Sequence, residues 1–427
     1  MVFAASLAMK TTTGVLSLLL LTSLTIGCAV EQETVPDCDV DPERLVDGAN
    51  ADVVAVVDGN ADFAFELHRR LGEAGGNVFT SPFSISAALA MTYAGARGQT
   101  ATEMHDVLHV PVADDQFHEV FGGLMMDLDQ PSDSCFSYEM SIGNRLFGQA
   151  GYGFEPDFVD LTGSAYGAPI QELDFLGNTE GSRNAINRWV SDETRGYIPE
   201  LFTSLDPSTV LVLTNAIYFK GTWVQGFDAA DTTSRPFQTP GGEVQVEMMA
   251  QEADFRYATF EGGRLIELPY EGDQISLVAI LPDEVGGLGA LEADLDAQSL
   301  RGWRASMHEV EVDVRFPKLE LRQKRSLVED LIALGMPSAF GAADFTGISA
   351  VGDLAISEVV HEAYVAIDEE GTVAAAATGV EMGTTSDGEQ EAPVFHADHP
   401  FLFLIMDDVT GSVLFLGRIE APTGGGA

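Results

Sequence analysis

Residues 369–389 read Glu369-Glu370-Gly371-Thr372-Val373-Ala374-Ala375-Ala376-Ala377-Thr378-Gly379-Val380-Glu381-Met382-Gly383-Thr384-Thr385-Ser386-Asp387-Gly388-Glu389. The stretch follows an expected strand from Val359 to Ile367, carries four consecutive alanines and contains no lysine or arginine. Counting by twos from Thr372 gives Thr372, Ala374, Ala376, Thr378, Val380, Met382 and Thr384, all uncharged. Before the threonine pair the alternate set holds one charge, Glu381. Successive side chains of a strand point to opposite faces. As a strand, this segment would turn one uncharged face toward its surroundings and could enter a sheet without burying a charge. A flexible small-residue linker would have no reason to alternate.

Working outward, the flanking sequence mixes helices and strands. Ser81-Pro82 reads as a helix start, a capping residue followed by proline in the first turn. Ile85, Ala88, Leu89 and Thr92 continue it at helical spacing. Ile186, Trp189 and Val190 mark a second helix, and Leu327, Val328, Leu331 and Ile332 a third that Gly335 should end. Val310 to Phe316 alternates strictly, as a half-exposed strand does. Leu211-Val-Leu213, Ile275 to Leu281 and Phe401 to Met406 are continuous apolar runs, expected to be strands buried on both faces. Asp407 to Gly411 should turn the last of these into Val413-Leu-Phe-Leu416 as a hairpin. The expected class is α+β, with large mixed sheets surrounded by helices and one exposed loop. No repeat or break interrupts residues 53–420, which read as one domain.

The chain has 427 residues, 45% of them hydrophobic, enough for a large core. Its formal net charge is −46 and it has four lysines, Lys10, Lys220, Lys318 and Lys324. Such a surface keeps a protein soluble and repels nucleic acid and anionic lipid headgroups.

Lys10 precedes an apolar run from Val15 to Ile26 and then Gly27-Cys28, the pattern of a secretory signal over residues 1–27. Leu24-Thr-Ile-Gly-Cys28 resembles a bacterial lipobox, with Thr25 departing from the favoured leucine; Cys28 would be the acylated residue. Cleavage there removes Lys10 alone among charged residues, so the mature charge becomes −46 − 1 = −47. Residues 28–52, acidic and without apolar periodicity, read as a tether, and residues 421–427 as a disordered tail. Export permits a disulfide between Cys38 and Cys135, and two free thiols fit equally well. The expected location is extracytoplasmic, either secreted or lipid-anchored at a bacterial surface.

Enzyme signatures are missing. Gly347-Ile-Ser349-Ala-Val351 lacks the second glycine of a nucleophile elbow. His361-Glu362 has Val365 where a zinc-binding helix needs histidine. His105 and His109 make half a metal site at best. His396 and His399 should bond locally. No dinucleotide fingerprint occurs around Gly286, Gly287 and Gly289. No metal or cofactor is expected.

Several motifs, in order along residues 53–420, resemble the serpin family. The hinge Glu369-Glu370-Gly371-Thr372 with its alanines is similar to the family's reactive-loop hinge. Phe395 to Ile405 is similar to its C-terminal signature. Asn77 to Ser86 resembles the helix behind the main sheet, and Thr214 to Trp223 the strand at the insertion point. Phe316-Pro-Lys-Leu319 and Val360-His-Glu-Ala363 match as well.

The resemblance implies an inhibitor of serine-type endopeptidases, with cysteine proteases left open as a second target class. A protease attacks the bait bond, becomes an acyl-enzyme, and is carried along as the loop inserts into the sheet. Glu369, Glu370, Gly371, Thr372, Ala374, Ala376 and Thr378 would form the hinge. Ser81, Ser84, Asn215 and His361 would form a hydrogen-bonded shutter; Trp223 would lie at the upper breach, and Lys318 would pair with Glu369. Family spacing puts the cut between Thr385 and Ser386, with Met382 an alternative. No basic residue lies between Gly371 and Gly417, so elastase-like or subtilisin-like targets are expected and trypsin-like ones are not. Thr100 to Val120 has no lysine or arginine, so heparin binding is not expected. Val373 stands where the family favours glutamate. The chain is expected to act as a monomer. The alternatives are a non-inhibitory serpin acting as carrier or chaperone, or an anchored ligand-binding lipoprotein.

Overall fold

The computed structural model of the chain describes residues 44–129, 138–272, 274–352, 354–372 and 392–422. Cys28, Cys38, Cys135, Ala374, Ala376, Thr378 and the Thr385–Ser386 bond lie outside the described residues.

The helices are α1 (Ala51–Gly72), α2 (Pro82–Tyr93), α3 (Gly98–Val107), α4 (Asp114–Leu128), α5 (Pro156–Ala165), α6 (Thr179–Glu193), α7 (Leu288–Asp294), α8 (Ala297–Ser306) and α9 (Val328–Leu334). The first strands are β1 (Val78–Thr80), β2 (Tyr138–Gln149), β3 (Ile170–Leu173), β4 (Leu211–Thr222), β5 (Thr233–Thr239), β6 (Gly242–Phe260), β7 (Gly263–Pro269) and β8 (Ile275–Pro282). After them come β9 (His308–Pro317), β10 (Leu319–Ser326), β11 (Val360–Ile367), β12 (Gly371–Thr372), β13 (Val394–His396), β14 (Phe401–Asp407) and β15 (Val413–Ile419).

Two sheets result. One has nine strands in the order β1-β15-β14-β8-β7-β6-β9-β13, with β5 added on β6. The other has six, in the order β10-β11-β12-β4-β2-β3. The continuous apolar runs account for the centre of the first: every residue of β8 and of β14 is buried. Their aliphatic side chains each contribute about 1.5–3 kcal/mol of burial. The expected hairpin is the β14–β15 pair. Along β9, buried Val312, Val314 and Phe316 alternate with more exposed residues, as the pattern predicts.

Helix α2 packs across both sheets and is buried at every position, so its apolar spacing marks no single face. Ser81 caps it, its Oγ accepting from the Ser84 amide, with Pro82 in the first turn. Phe79, just before it, stacks on Phe415 with centroids 5.6 Å apart.

Three expectations need correction. Leu211 and Leu213 are only half-buried, at the margin of the main core, while Val212 between them is buried on the opposite face with Ile186 and Val190 of α6. In α9, Leu331 is buried but Ile332 is 39% exposed, so the helix docks by a narrower stripe than its apolar residues suggest. The fold also starts earlier than residue 53. Helix α1 begins at Ala51, capped by Asn50. Before it, the Leu45 and Val46 amides donate to the Asp127 carboxylate at 2.7 and 3.0 Å.

Candidate functional site

The site is the end of the six-stranded sheet where β12 enters between β11 and β4. Its pairing is short: Ile367↔Thr372 on one side, Gly371↔Thr222 and Thr372↔Gly221 on the other. Beyond it, among the described residues, no ladder joins β4 directly to β11.

Backbone geometry explains the glycine. Gly371 has φ +151°, a region closed to L side chains, and a Cβ there would collide with the Gly221 carbonyl oxygen. Thr372 is 1% exposed, and its Oγ1 lies 2.6 Å from Tyr270 Oη. Tyr270 is itself buried, stacked on Trp223 at 4.4 Å and edge-on to Phe219 at 4.9 Å. Its ring can come so close because Gly221 has no side chain.

The turn before β12 is tied down on every side. Trp223 Nε1 donates to the Asp368 carbonyl at 3.0 Å and its amide to the Glu370 carbonyl at 2.9 Å. The Phe227 amide donates to the Glu369 carbonyl at 2.9 Å. The Glu369 carboxylate receives Lys318 Nζ at 2.6 Å and Thr232 Oγ1 at 2.8 Å. Partial burial pushes that carboxyl up, but the Lys318 and Thr232 hydrogen bonds outweigh it and leave the pKa below the usual range. Glu369 is therefore an anion held by a cation and a hydroxyl, an arrangement stronger than an exposed pair.

Further down, the helix and the sheet are joined through one histidine. The Ser81 amide donates to His361 Nε2 at 3.0 Å, and Ser81 Oγ donates to the Leu414 carbonyl at 2.7 Å. Ser84 bonds back to Ser81, with both contacts at 3.3 Å. Burial pushes His361 down to about 4, which keeps it neutral and able to accept. Asn215 lies on β4 opposite Asn144 of β2.

Of the residues singled out from sequence, the structure brings Lys318 to Glu369, Trp223 to the hinge carbonyls, Ser81 to His361, and Ser84 to Ser81. Tyr270 and Thr232 were missed. Tyr270 sits 102 positions from Thr372 and Thr232 sits 137 from Glu369, so no local pattern could connect them.

Among the described residues no group of three or more histidine, cysteine or acidic side chains could hold a metal. His105 pairs with Asp106 and His109 with Glu66, so they do not converge. His399 bonds Asp398 and the Pro282 carbonyl, while His396 reaches Asp313 on β9. Among the described residues no helix is long and apolar enough to cross a membrane. What the geometry offers is a place for a strand.

Residues 58–422 match the family model described as Serpin (serine protease inhibitor). The chain is 40% identical over 371 residues to an uncharacterised serpin-like protein of Thermococcus kodakarensis, covering 87% of this chain and 86% of that one. It is 39% identical over 379 residues to the leukocyte elastase inhibitor of Homo sapiens, covering 85% and 98%. Among solved structures, human thyroxine-binding globulin complexed with thyroxine is similar with a TM-score of 0.78 and 30% identity, covering 88% of this chain and all of that one.

Proposed function

The chain belongs to the serpin family, and from that premise we propose that it inhibits serine-type endopeptidases by trapping them as acyl-enzymes. The observation that carries the reading is the seated β12. The first residues of an uncharged alternating segment already pair with β11 and β4, and Thr372 points into the interior. In this reading a protease cleaves after Thr385, the acyl bond holds the enzyme to the loop, and the freed segment continues the ladder that β12 begins. Roughly 15 new backbone hydrogen bonds at about 1 kcal/mol net each rival the stability of an ordinary domain. That release is enough to distort a protease before it deacylates. The uncut protein is then a kinetically held state.

The same reading assigns roles. Ser81, Ser84, Asn215 and His361 hold the lower sheet shut; Trp223 with Tyr270 closes its upper end. Lys318 and Thr232 fix Glu369 so that the chain pivots at Gly371. The loop's small uncharged residues favour elastase-like or subtilisin-like targets, a choice in keeping with the similarity to a leukocyte elastase inhibitor. We further propose export through residues 1–27, acylation at Cys28 and action as a monomer at a bacterial surface.

Incubation with subtilisin, elastase, chymotrypsin and trypsin tests the function. A covalent complex that survives denaturing electrophoresis is expected with one of the first three. Clean cleavage without complex by every protease rejects inhibition and leaves the carrier reading. That second reading draws on the similarity to a thyroxine-bound structure. The hinge argues against it, since Thr372 and the alanines after it put no bulk or charge on the inserting face.

A further inference from the structure

We propose that Tyr197 is a plug in the outer face of the six-stranded sheet, which must withdraw before the loop strand can enter fully. This rests on the insertion reading above and adds to it the residue that sets the rate.

The turn after α6 is built to aim this side chain. Arg195 (φ +52°) and Gly196 (φ +82°) are both left-handed, which throws the chain back onto the sheet. The Tyr197 amide donates to the Thr194 carbonyl at 2.8 Å and the Ile198 amide to Thr194 Oγ1 at 3.0 Å. The ring then lies between Tyr218 of β4 and Tyr364 of β11, with centroids 5.3 and 5.1 Å away and both planes within 21° of parallel. The column ends on Arg322 of β10, whose guanidinium sits 5.2 Å over Tyr364. Tyr218 and Tyr364 stand on the two strands that a third must part.

Register shows what belongs in that slot. Continuing β12 along β4 from Thr372↔Gly221 brings position 375 opposite Tyr218. Continuing it along β11 from Ile367↔Thr372 brings the same position opposite Tyr364. Two separate ladders converge on one residue. Thr372 faces inward to Tyr270, so in an extended β12 alternation would turn position 375 outward, into the column that the Tyr197 ring fills. Strands lie about 4.8 Å apart, so one ring occupies the whole width of an entering strand there. A methyl group and a phenol ring cannot share it. The sequence has alanine at 375.

A synthetic peptide with the sequence of residues 372–385 tests this on the full chain, its uptake followed as a gain in heat resistance. Tyr197→Ala should take up the peptide about tenfold faster, as expected for losing two ring stacks. Tyr197→Phe should match the wild type, because the ring and not the hydroxyl fills the slot. Tyr364→Val, which suits a strand and removes one stacking partner, should also accelerate uptake and serves if Tyr197→Ala folds poorly. Uptake by Tyr197→Ala at or below the wild-type rate overturns the plug, as does a Tyr197→Phe rate equal to that of the alanine variant. A wild-type chain that takes up no peptide and gains no heat resistance on cleavage defeats insertion itself. That outcome is distinct from failure of Tyr197 alone.

Discussion

Thr372 Oγ1 lies 2.6 Å from Tyr270 Oη, a side-chain bond that ties β12 of the six-stranded sheet to the segment that leaves β7 in the other. Both groups are buried, so each would cost about 1–3 kcal/mol if left unpaired. Tyr270 is fixed in turn by the stacked Trp223, whose indole N–H holds the Asp368 carbonyl. The first inserting side chain is thus already counted into the interior, and the inward-facing residues after it must be equally easy to bury.

Thr372→Arg tests that requirement. The guanidinium would replace a buried hydroxyl that bonds Tyr270, and burying a charge there unpaired is prohibitive. The variant should be cleaved at the wild-type rate yet trap little or no protease, so the amount needed per protease inactivated should rise at least several-fold. An unchanged stoichiometry of inhibition would mean that residue 372 does not face inward during insertion.

Gly371→Ala addresses the pivot. A side chain at φ +151° costs about 1–3 kcal/mol of strain, and here it also meets the Gly221 carbonyl. The expected result is expulsion of β12, seen as lost hydrogen-exchange protection at Thr372 and at the facing end of β4. The melting of the remaining core should change little. Retained protection at Thr372 would show that the strand tolerates the substitution and that the pivot lies elsewhere.

Acid should weaken the fold through its buried histidines. Burial pushes His361 and His118 down to about 4 from 6.5, so the unfolded chain binds more protons than the folded one between those values. Stability therefore falls as pH drops from about 6.5 to 4, by about 3 kcal/mol for each histidine. Asp408 acts in the opposite sense. Burial raises it from 3.8 to about 6, so its contribution is lost as pH rises through that window, and the net slope below pH 6 is reduced. His361→Gln can still accept from the Ser81 amide but does not titrate. Denaturant unfolding at pH 7 and pH 5 should show a smaller acid loss for this variant than for wild type. An identical loss would assign the acid sensitivity to other groups.

How much of this could be read from the sequence depended on distance along the chain. Features set by neighbours in sequence were legible: the Ser81 cap and the buried runs of β8 and β14. So were pairs belonging to a recognisable motif, such as Lys318 with Glu369. Contacts between remote segments without a motif were not. Nothing near Tyr270 indicates that its hydroxyl meets Thr372, or that Tyr197 comes to rest between Tyr218 and Tyr364. Residues 44–50 were misjudged for a related reason. Their polar, proline-flanked composition suits a tether, and only the buried Asp127 and Asp407 turn them into part of the fold.

Arg44 carries the last prediction. Its guanidinium makes a two-pronged contact with Asp407, at 3.0 and 2.8 Å, and also reaches Gln274 Oε1 at 2.8 Å. Asp407 is fully buried at the end of β14, where its other oxygen-bound donors are the amide and hydroxyl of Thr410. Arg44→Ala would leave that carboxylate without a counter-charge, a change that costs about 3–5 kcal/mol at buried pairs. The Thr410 donors should hold the loss to the lower end of that range. The denaturant midpoint should fall clearly, whereas Arg44→Ala combined with Asp407→Asn should lose less than the sum of the single changes, because no stranded charge remains. Strict additivity would show that the two side chains are not coupled, and that residues 44–50 rest on the fold through the Asp127 bonds and the Arg44–Gln274 contact instead.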